Sequence, residues 1–536
     1  MRLSRHFGRT LREAPAEAGS IGQQLIMRAG LARSLAPGLP GYLPFGWRVI
    51  RRLAALAGEE IEACGAEEIH LPALISSRLE GAVGDVIADL GRREIESYRD
   101  LPRAVYFTRP AAHGELPADR GGWLRLREEL ILEAYSLHAE RADLESFGEQ
   151  VRRGWANVFA RCGLPVLPVE AEDGSRRFMW PHPEGESRFT RCDGCERTAS
   201  IEVASFVRRE ARYGDPQPME KVATPECKTI ADLCAFLGIE PERTLKAVFY
   251  TVDAAQSGED TVLVMLRGDL EVSEAKLARV LDAQALRPAT EEEIRERTGA
   301  EPGYASPIGL EVRDTNSPEG VQVIVDESLL AMSNFVTGAN EAGYHVINAN
   351  YERDFTASLL ADIAEAYEGA ICPHCGGSLH IERAVELGYC LRTGTRHSEA
   401  AGATYLDANG RPQPVVMGRY GVYLDRLLAA VVETHHDQHG IIWPPEVAPF
   451  DLHLVALAKD EEAARTAETL YEDLRAAGLK VLYDDRRLSP GVMFADADLI
   501  GLPLRLTISR RSLQNGGVEI KWRHEKERSI LALEGI

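Results

Sequence analysis

Cysteine is scarce in this chain. Nine residues in 536 are too few to staple a protein of that size with disulfides. Long apolar runs are absent: nothing approaches the roughly 18 residues that a membrane-spanning helix needs, and 427–432 is typical of the longest. The basic start (Arg2, Arg5, Arg9, Arg12) is followed by no apolar stretch, so no signal peptide is read there. Positive charge is in deficit, with 61 Lys and Arg against 83 Asp and Glu and a net charge of −22. That excludes a basic, nonspecific nucleic-acid coat; specific RNA contact through local patches remains compatible with it. No internal repeat or low-complexity tract interrupts the sequence. The expectation is a cytoplasmic protein with no membrane or DNA partner.

What is present is ordinary globular material, 45% hydrophobic and 27% charged. At about 100–200 residues per domain the length predicts three to five domains. Residues 45–64 carry Val49, Leu53 and Leu56 at helical spacing, with Gly65 as the stop. A short strand is expected at 68–71, ending at Pro72, and another helix at 124–138. Two prolines and a glycine in 212–218 mark a linker. From Lys221 to about Phe355, strand-like 245–252 and 261–267 alternate with helical Ile230–Leu237 and Glu274–Val280, which predicts an α+β insert. In the last ninety residues, strands at Leu452–Leu457, 480–483 and Leu504–Ser509 alternate with helices, the second opened by Pro490. That pattern predicts a small, mainly parallel sheet covered by helices.

Longer stretches carry a family likeness. The run Gly30-Leu-Ala-Arg-Ser-Leu-Ala-Pro-Gly-Leu-Pro-Gly-Tyr-Leu-Pro-Phe-Gly-Trp-Arg-Val49, with the helix, strand and Pro72 after it, resembles the start of the bacterial-type prolyl-tRNA synthetases, which are class II aminoacyl-tRNA synthetases. Met332-Ser-Asn-Phe-Val-Thr-Gly-Ala-Asn340 resembles that family's inserted editing domain. Gly394-Thr-Arg-His-Ser-Glu-Ala400 and Gly402-Ala-Thr-Tyr-Leu-Asp407 resemble the second half of its synthetic core. Asp484-Asp-Arg-Arg, Pro490-Gly-Val-Met-Phe-Ala-Asp496 and Leu499-Ile-Gly-Leu-Pro503 resemble its anticodon-binding domain. The resemblance spans nearly the whole chain. It implies a multidomain α/β and α+β protein: a class II core at 1–217 and 357–447, an editing-type insert at 218–356, and an anticodon-binding domain at 448–536. It further implies a homodimer through the first class II motif, tRNA (tRNA(Pro) for this family) as partner, and ATP with magnesium as cofactors if the synthetic site works.

The synthetic site departs from the family pattern. Activation needs cations against the ATP phosphates, because charge develops on phosphorus during attack. The family's motif 2 arginine falls here on His113 or Gly114, according to where a one-residue gap is placed. A neutral imidazole cannot replace a guanidinium's permanent charge and planar fork. Arg109 lies nearby but out of register. Glu115 aligns with the adenine-reading acid, Arg127-Glu128 with the motif's later Arg-Glu, and Arg426 with the motif 3 ligand of the γ-phosphate. The family's Gly-x-Gly has become Gly421-Val-Tyr423, a pocket cysteine has become Arg419, and a pocket histidine has become Tyr389. Between Pro72 and Val86 the Thr-x-Glu loop that grips proline is missing. These changes predict weak or lost proline activation.

The insert keeps its pattern. Lys246 within Arg243-Thr-Leu-Lys-Ala247 stands at the family's important editing lysine, and Gly303-Tyr-Ala-Ser-Pro307 follows the pocket's glycine-to-proline loop, with Gly303 and Pro307 at its ends. Arg267-Gly-Asp-Leu-Glu271 and Ser273-Glu-Ala-Lys276 match as well. In the family this domain hydrolyses mischarged alanyl-tRNA. A lysine can hold the terminal phosphate or ribose, and backbone N–H groups of the loop can face the ester oxyanion. Flanking the insert are two Cys-x-x-Cys pairs, Cys192 with Cys195 and Cys372 with Cys375. Two such pairs brought together give a four-sulfur zinc site; the rival reading is two pairs of reduced thiols. His435, His436 and His439 are read as solvated helix-end histidines rather than a metal cluster. Asp485 with Arg486, and Lys521 with Trp522 and Arg523, resemble the anticodon-reading region, where arginine and aromatics stack on unpaired bases.

The function expected is therefore that of an aminoacyl-tRNA ligase-family enzyme, with editing hydrolysis favoured over ligation. The alternatives are a non-catalytic tRNA-binding or regulatory synthetase relative, or a core repurposed for another small acid.

Overall fold

A computed structural model describes residues 1–16, 18–72, 82–112, 122–209, 211–254, 258–313, 320–457 and 461–533. The chain divides into two units: Met1–Val169 with Asp173–Ser187 and Arg383–Ile536, and Glu170–Glu172 with Arg188–Glu382.

The first unit is built on six neighbouring strands in the order Glu67–Glu68, Arg103–Ala112, Glu128–His138, Val416–Tyr423, Leu379–Gly394 and Arg176–Pro181. All neighbours run antiparallel except the first pair, which is parallel. The helix expected at 124–138 is not formed. A short turn at Gly122–Leu124 precedes the Glu128–His138 strand at the middle of this sheet. From Ile131 onward every residue of that strand is buried. A strand covered on both faces loses its two-residue alternation, so its apolar run reads like a buried helix.

The helix expected at 45–64 is Pro44–Glu62, with proline in its first turn. Its Phe45, Val49, Leu53, Leu56 and Ile61 face a core shared with the helices Arg141–Arg161 and Leu424–Thr434. The strand expected at 68–71 is only Glu67–Glu68, extended by one bond from Ile69 N–H to the Tyr106 carbonyl at 2.8 Å.

The C-terminal part has the strand order Val481–Asp484, Leu452–Leu457, Leu504–Ser509, Val518–Trp522, Ser529–Leu531. Two pairings are parallel, and two near the end are antiparallel. Along Leu452–Leu457, Leu452, Leu454 and Ala456 meet the Glu461–Ala476 helix, while Val455 meets Met493 and Ala497 of Pro490–Ile500.

The second unit holds a five-stranded sheet in the order Ala283–Pro288, Leu245–Ala254, Gly258–Arg267, Gln322–Asp326, Leu359–Ala361. A smaller sheet pairs Glu220–Ala223, Tyr344–Ala349 and Phe335–Gly338. Its helices start where side chains can cap them: Thr229 before Ile230–Leu237, Ser273 before Glu274–Val280, and a Thr290/Glu293 capping box before Glu291–Thr298.

Candidate functional site

On one face of the first unit's sheet, three strands deliver a buried ionic cluster around Glu133. Register sets it up. Glu133 lies opposite Phe107 on one neighbour and Gly421 on the other. Its diagonal neighbours two residues away are Arg109 and Arg419. Both guanidiniums pair with its carboxylate. Tyr389, opposite Gly421 on the next strand, donates its hydroxyl to Glu133 Oε1 at 2.9 Å. Glycine at 421 is what allows this: a Cβ there would stand 2.6 Å from Tyr389 Cζ. Glu133 is fully buried. Burial alone pushes its pKa up, but the charges of Arg419 and Arg109 outweigh that and hold it below the ordinary value.

Of the other residues expected at a synthetic site, Arg426 and Tyr423 are engaged as well. Arg426 is fixed by Glu129 through a fork of 2.7 and 2.8 Å, donates to the Glu386 carbonyl at 3.2 Å, and lies 4.3 Å from the Tyr423 ring centre. Tyr423 and Tyr389 pack edge to face, 5.9 Å between ring centres, against Ala111 and Ile131. Arg127 is exposed, its stem packed on Gly38. His113, Gly114, Glu115 and the stretch 73–81, where the family's proline-gripping loop is expected to be missing, lie outside the described residues. A cavity of about 290 Å³ opens on the opposite face of the sheet, among Gly148, Arg152, Arg176, Cys390 and Tyr420. Sequence reading missed Glu129 and Glu133. Acids inside an apolar strand are the signal that could have found them, because a buried carboxylate requires a cationic partner.

In the second unit the 303–307 loop and Lys246 are positioned separately. Leu245, Ala247 and Phe249 face the core that holds Ala305. Alternation turns Lys246 to the other face, where it stands opposite Leu266. There its ammonium donates to the Leu270 carbonyl at 2.8 Å and to Glu271 at 2.6 Å. Lys276, from the neighbouring matched motif, is fully buried and bonded to Asp362 and to the carbonyls of Ala204 and Ala364. Arg267 forks onto Asp269. These two motifs are framework rather than pocket.

The loop itself is tightly determined. Gly303 has φ +91°, and a Cβ there would come within 2.8 Å of the Lys228 carbonyl oxygen. The carbonyls of Tyr304 and Ala305 crowd the place of a side chain at Gly338. Asn340 brackets the loop: its N–H donates to the Tyr304 carbonyl at 2.9 Å, and its side chain accepts from Ser306 N–H at 2.7 Å and donates to the Ile308 carbonyl at 2.7 Å. Tyr304 N–H is taken by the Glu301 carbonyl at 3.0 Å. Among the described residues the N–H groups of Gly303 and Ala305 are left as donors. Beside the loop, His345 lies 5.4 Å from Tyr304 between ring centres and bonds Thr224 Oγ1 through Nδ1 at 2.6 Å. Burial lowers its pKa to about 4, so it is neutral at neutral pH. Residues 121 positions apart gave no sequence signal of this pairing.

The four cysteines meet. The Sγ atoms of Cys192, Cys195, Cys372 and Cys375 all lie within 4.8 Å of one another. The histidines do not: His435 ends its helix and approaches the Cys162 carbonyl at 3.0 Å, and among the described residues no metal-ligand group contains any of the three. In the C-terminal part Arg486 pairs with Asp484 and Asp496, Asp485 accepts from Ser4, and Arg523 forks onto Asp437. Lys521 stands 3.8 Å from Asp498. Trp522 remains 44% exposed, a face on which a base could stack.

Along the chain, residues 224–355 match the aminoacyl-tRNA editing domain family and residues 451–536 match the anticodon binding domain family. A proline–tRNA ligase of Dehalococcoides mccartyi is 39% identical over 570 residues, covering 100% of this chain and 98% of that one. The chain belongs to the prolyl-tRNA synthetase family. The Bacillus subtilis proline–tRNA ligase is 37% identical over 569 residues, with 100% and 98% covered. Both alignments are longer than the 536-residue chain, so each relative has positions that this chain lacks. The fold is also that of a solved prolyl-tRNA synthetase from Cryptosporidium parvum, complexed with L-proline and AMP, at TM-score 0.51 and 12% identity over 98% of this chain and 75% of that one. An editing domain, an anticodon-binding domain and a family of ligases thus agree with the expected enzyme class and tRNA partner. Among the described residues no helix is long and apolar enough to cross a membrane.

Proposed function

We propose that this chain acts on aminoacylated tRNA(Pro) as an editing hydrolase of the prolyl-tRNA synthetase family and has lost most of its proline activation. The observation that carries this is the plugged sheet face, where Tyr389, Arg419, Arg109 and Glu133 satisfy one another in the family's amino-acid pocket. A carboxylate or ammonium substrate would have to break that cluster to bind. Arg426 points the same way, because Glu129 occupies both arms of the fork that a phosphate would use. This pairing speaks against a ready site for ATP and magnesium among the described residues.

Ester hydrolysis requires neither. Water adds to the ester carbonyl, the developing oxyanion is met by the Gly303 and Ala305 N–H groups, and the bond to the tRNA 3′ oxygen breaks as that oxygen takes up the proton the water gives up. Pro307 fixes the end of that loop. Lys246 reaches a terminal phosphate or ribose by giving up Glu271, whose side chain is 79% exposed. On this reading the segment 218–356 carries the hydrolytic site, and 1–217, 357–447 and 448–536 serve tRNA binding. The dimer forms through the Pro44–Glu62 region, in the cytoplasm, with tRNA contacted by Trp522 and the neighbouring Lys521. A non-catalytic tRNA-binding role is the second reading, favoured by Lys246 and the 303–307 loop lying on opposite faces of one strand.

Parallel assays separate them. Alanyl-tRNA(Pro) deacylation above the spontaneous rate with negligible proline-dependent pyrophosphate exchange supports the hydrolase. Robust exchange overturns the plugged-site argument, and tRNA binding without deacylation favours the second reading.

A further inference from the structure

We propose that Cys192, Cys195, Cys372 and Cys375 form a closed, structural four-thiolate zinc site that clamps together the two ends of the 192–375 segment. The two cysteine turns have the same backbone. In the first, Cys192 N–H donates to the Arg197 carbonyl at 2.9 Å, Glu196 N–H returns to the Cys192 carbonyl at 3.1 Å, and Glu196 has φ +56°. In the second, Cys372 N–H donates to the Gly377 carbonyl at 2.8 Å, Gly376 N–H returns to the Cys372 carbonyl at 3.0 Å, and Gly376 has φ +78°. The spacing and the left-handed residue at the fifth position are repeated step for step. A coincidence of two free-thiol loops would not require that.

The sulfurs are also served as thiolates. The backbone N–H groups of Gly194 and Cys195 lie near Cys192 Sγ, and that of Arg197 near Cys195 Sγ, where each favours the thiolate. Gly377 N–H donates to Cys375 Sγ at 3.4 Å, the same two-residue offset as Arg197 to Cys195. Such bonds orient metal-bound sulfur and offset its charge. Four sulfurs about 2.3 Å from one tetrahedral ion stand about 3.8 Å apart. Here Cys192–Cys375 is 3.3 Å and Cys195–Cys372 is 3.9 Å. A disulfide needs about 2.05 Å.

The turns are fitted to each other as well. Asp193 joins them through its N–H to the Ser378 carbonyl at 3.0 Å and its side chain to Ser378 N–H at 2.8 Å. A Cβ at Gly377 would meet Asp193 Oδ1 at 2.6 Å, and one at Gly194 would meet Cys375 Sγ at 3.0 Å. Four sulfur ligands leave no open position, which is the pattern of structural rather than catalytic zinc. The clamp joins residues 183 apart, so it removes much of the unfolded segment's loop entropy.

The test uses full-length protein produced with zinc available. Elemental analysis should find about one zinc per chain. Titration with a mercurial thiol reagent should release it as the cluster's cysteines react, and cobalt exchange should give the intense visible bands of a tetrahedral thiolate centre. Cys375→Ser, at an exposed thiol, should weaken zinc retention against a chelator by at least about tenfold, while Cys234→Ser, outside the cluster, should not. Should Cys375→Ser fail to fold, stoichiometry and the cobalt spectrum of the unaltered protein still decide. Absence of metal, iron in place of zinc, or disulfides at these positions overturns the proposal.

Discussion

Glu133→Gln removes the buried carboxylate that two guanidiniums share. Arg109 is 1% exposed, so it cannot recover its lost partner from water. Breaking a buried pair by deleting one member costs about 3–5 kcal/mol. Here the variant leaves two cations facing one another, which places the expected loss at the upper end of that range. Arg419→Met is milder, because Glu133 keeps Arg109 and the Tyr389 hydroxyl. Loss of one charge-assisted bond predicts about 1.5–3 kcal/mol. The double variant should cost less than the sum, with a coupling of at least about 1 kcal/mol, because the second change removes an interaction already broken. The assay is urea unfolding followed by tryptophan fluorescence, with Trp155, fully buried in the same unit's core, as the reporter. Proline-dependent pyrophosphate exchange, expected near background in the unaltered protein, should not change in these variants. If Glu133→Gln costs under about 1 kcal/mol, or the cycle is additive, the cluster is not a structural plug. Proline activation then has no internal competitor for the pocket.

Proline-dependent pyrophosphate exchange should fall at least about 10²–10³-fold below that of the Bacillus subtilis relative, the usual cost of losing one transition-state cation or donor; comparable turnover refutes it. Gly303→Ala should lower alanyl-tRNA deacylation sharply, since a φ of +91° and a 2.8 Å approach to Lys228 both exclude a Cβ; unchanged hydrolysis removes the loop from the mechanism. Lys246→Ala should reduce the same activity at least about tenfold by weakening the hold on the terminal nucleotide, and an unaltered rate would confine it to its contacts with Leu270 and Glu271. His345 is held near pKa 4 by burial against 6.5 unfolded, so its stabilising contribution is complete above pH 6.5 and is lost as pH falls towards 4. That amounts to about 3 kcal/mol across the window; acid titration of a His345→Gln variant should lack this slope, and identical curves would refute the assignment.

The parts of the fold legible in the sequence are those where one face is buried and ends are punctuated. Ile230–Leu237, Glu274–Val280, Leu452–Leu457 and Leu504–Ser509 fall where alternation and caps place them. The Glu128–His138 strand was not legible, because both its faces are buried from Ile131 onward, which erases the period. The cysteine turns were legible from local spacing alone. The Glu133 cluster was not, since Arg109, Glu133, Tyr389 and Arg419 come from four strands and only register joins them. The face that Lys246 occupies was not legible either: its motif was recognisable, but a one-residue alternation decides the face, and apolar residues flank it on both sides.

The two candidate sites differ in what a small change can destroy. Activation requires cations held ready for a phosphate, so a cavity in which Arg426 and Arg419 are held by carboxylates inside the protein is expected to serve it poorly. The hydrolytic site asks for backbone donors in a rigid loop. The oxyanion donors depend on Gly303, Gly338 and Asn340 holding the chain's path, and not on a free cation. A backbone-built site therefore tolerates drift elsewhere in the molecule that a site built from free arginines does not. This is the physical reason for expecting ester hydrolysis to outlast ligation in this chain.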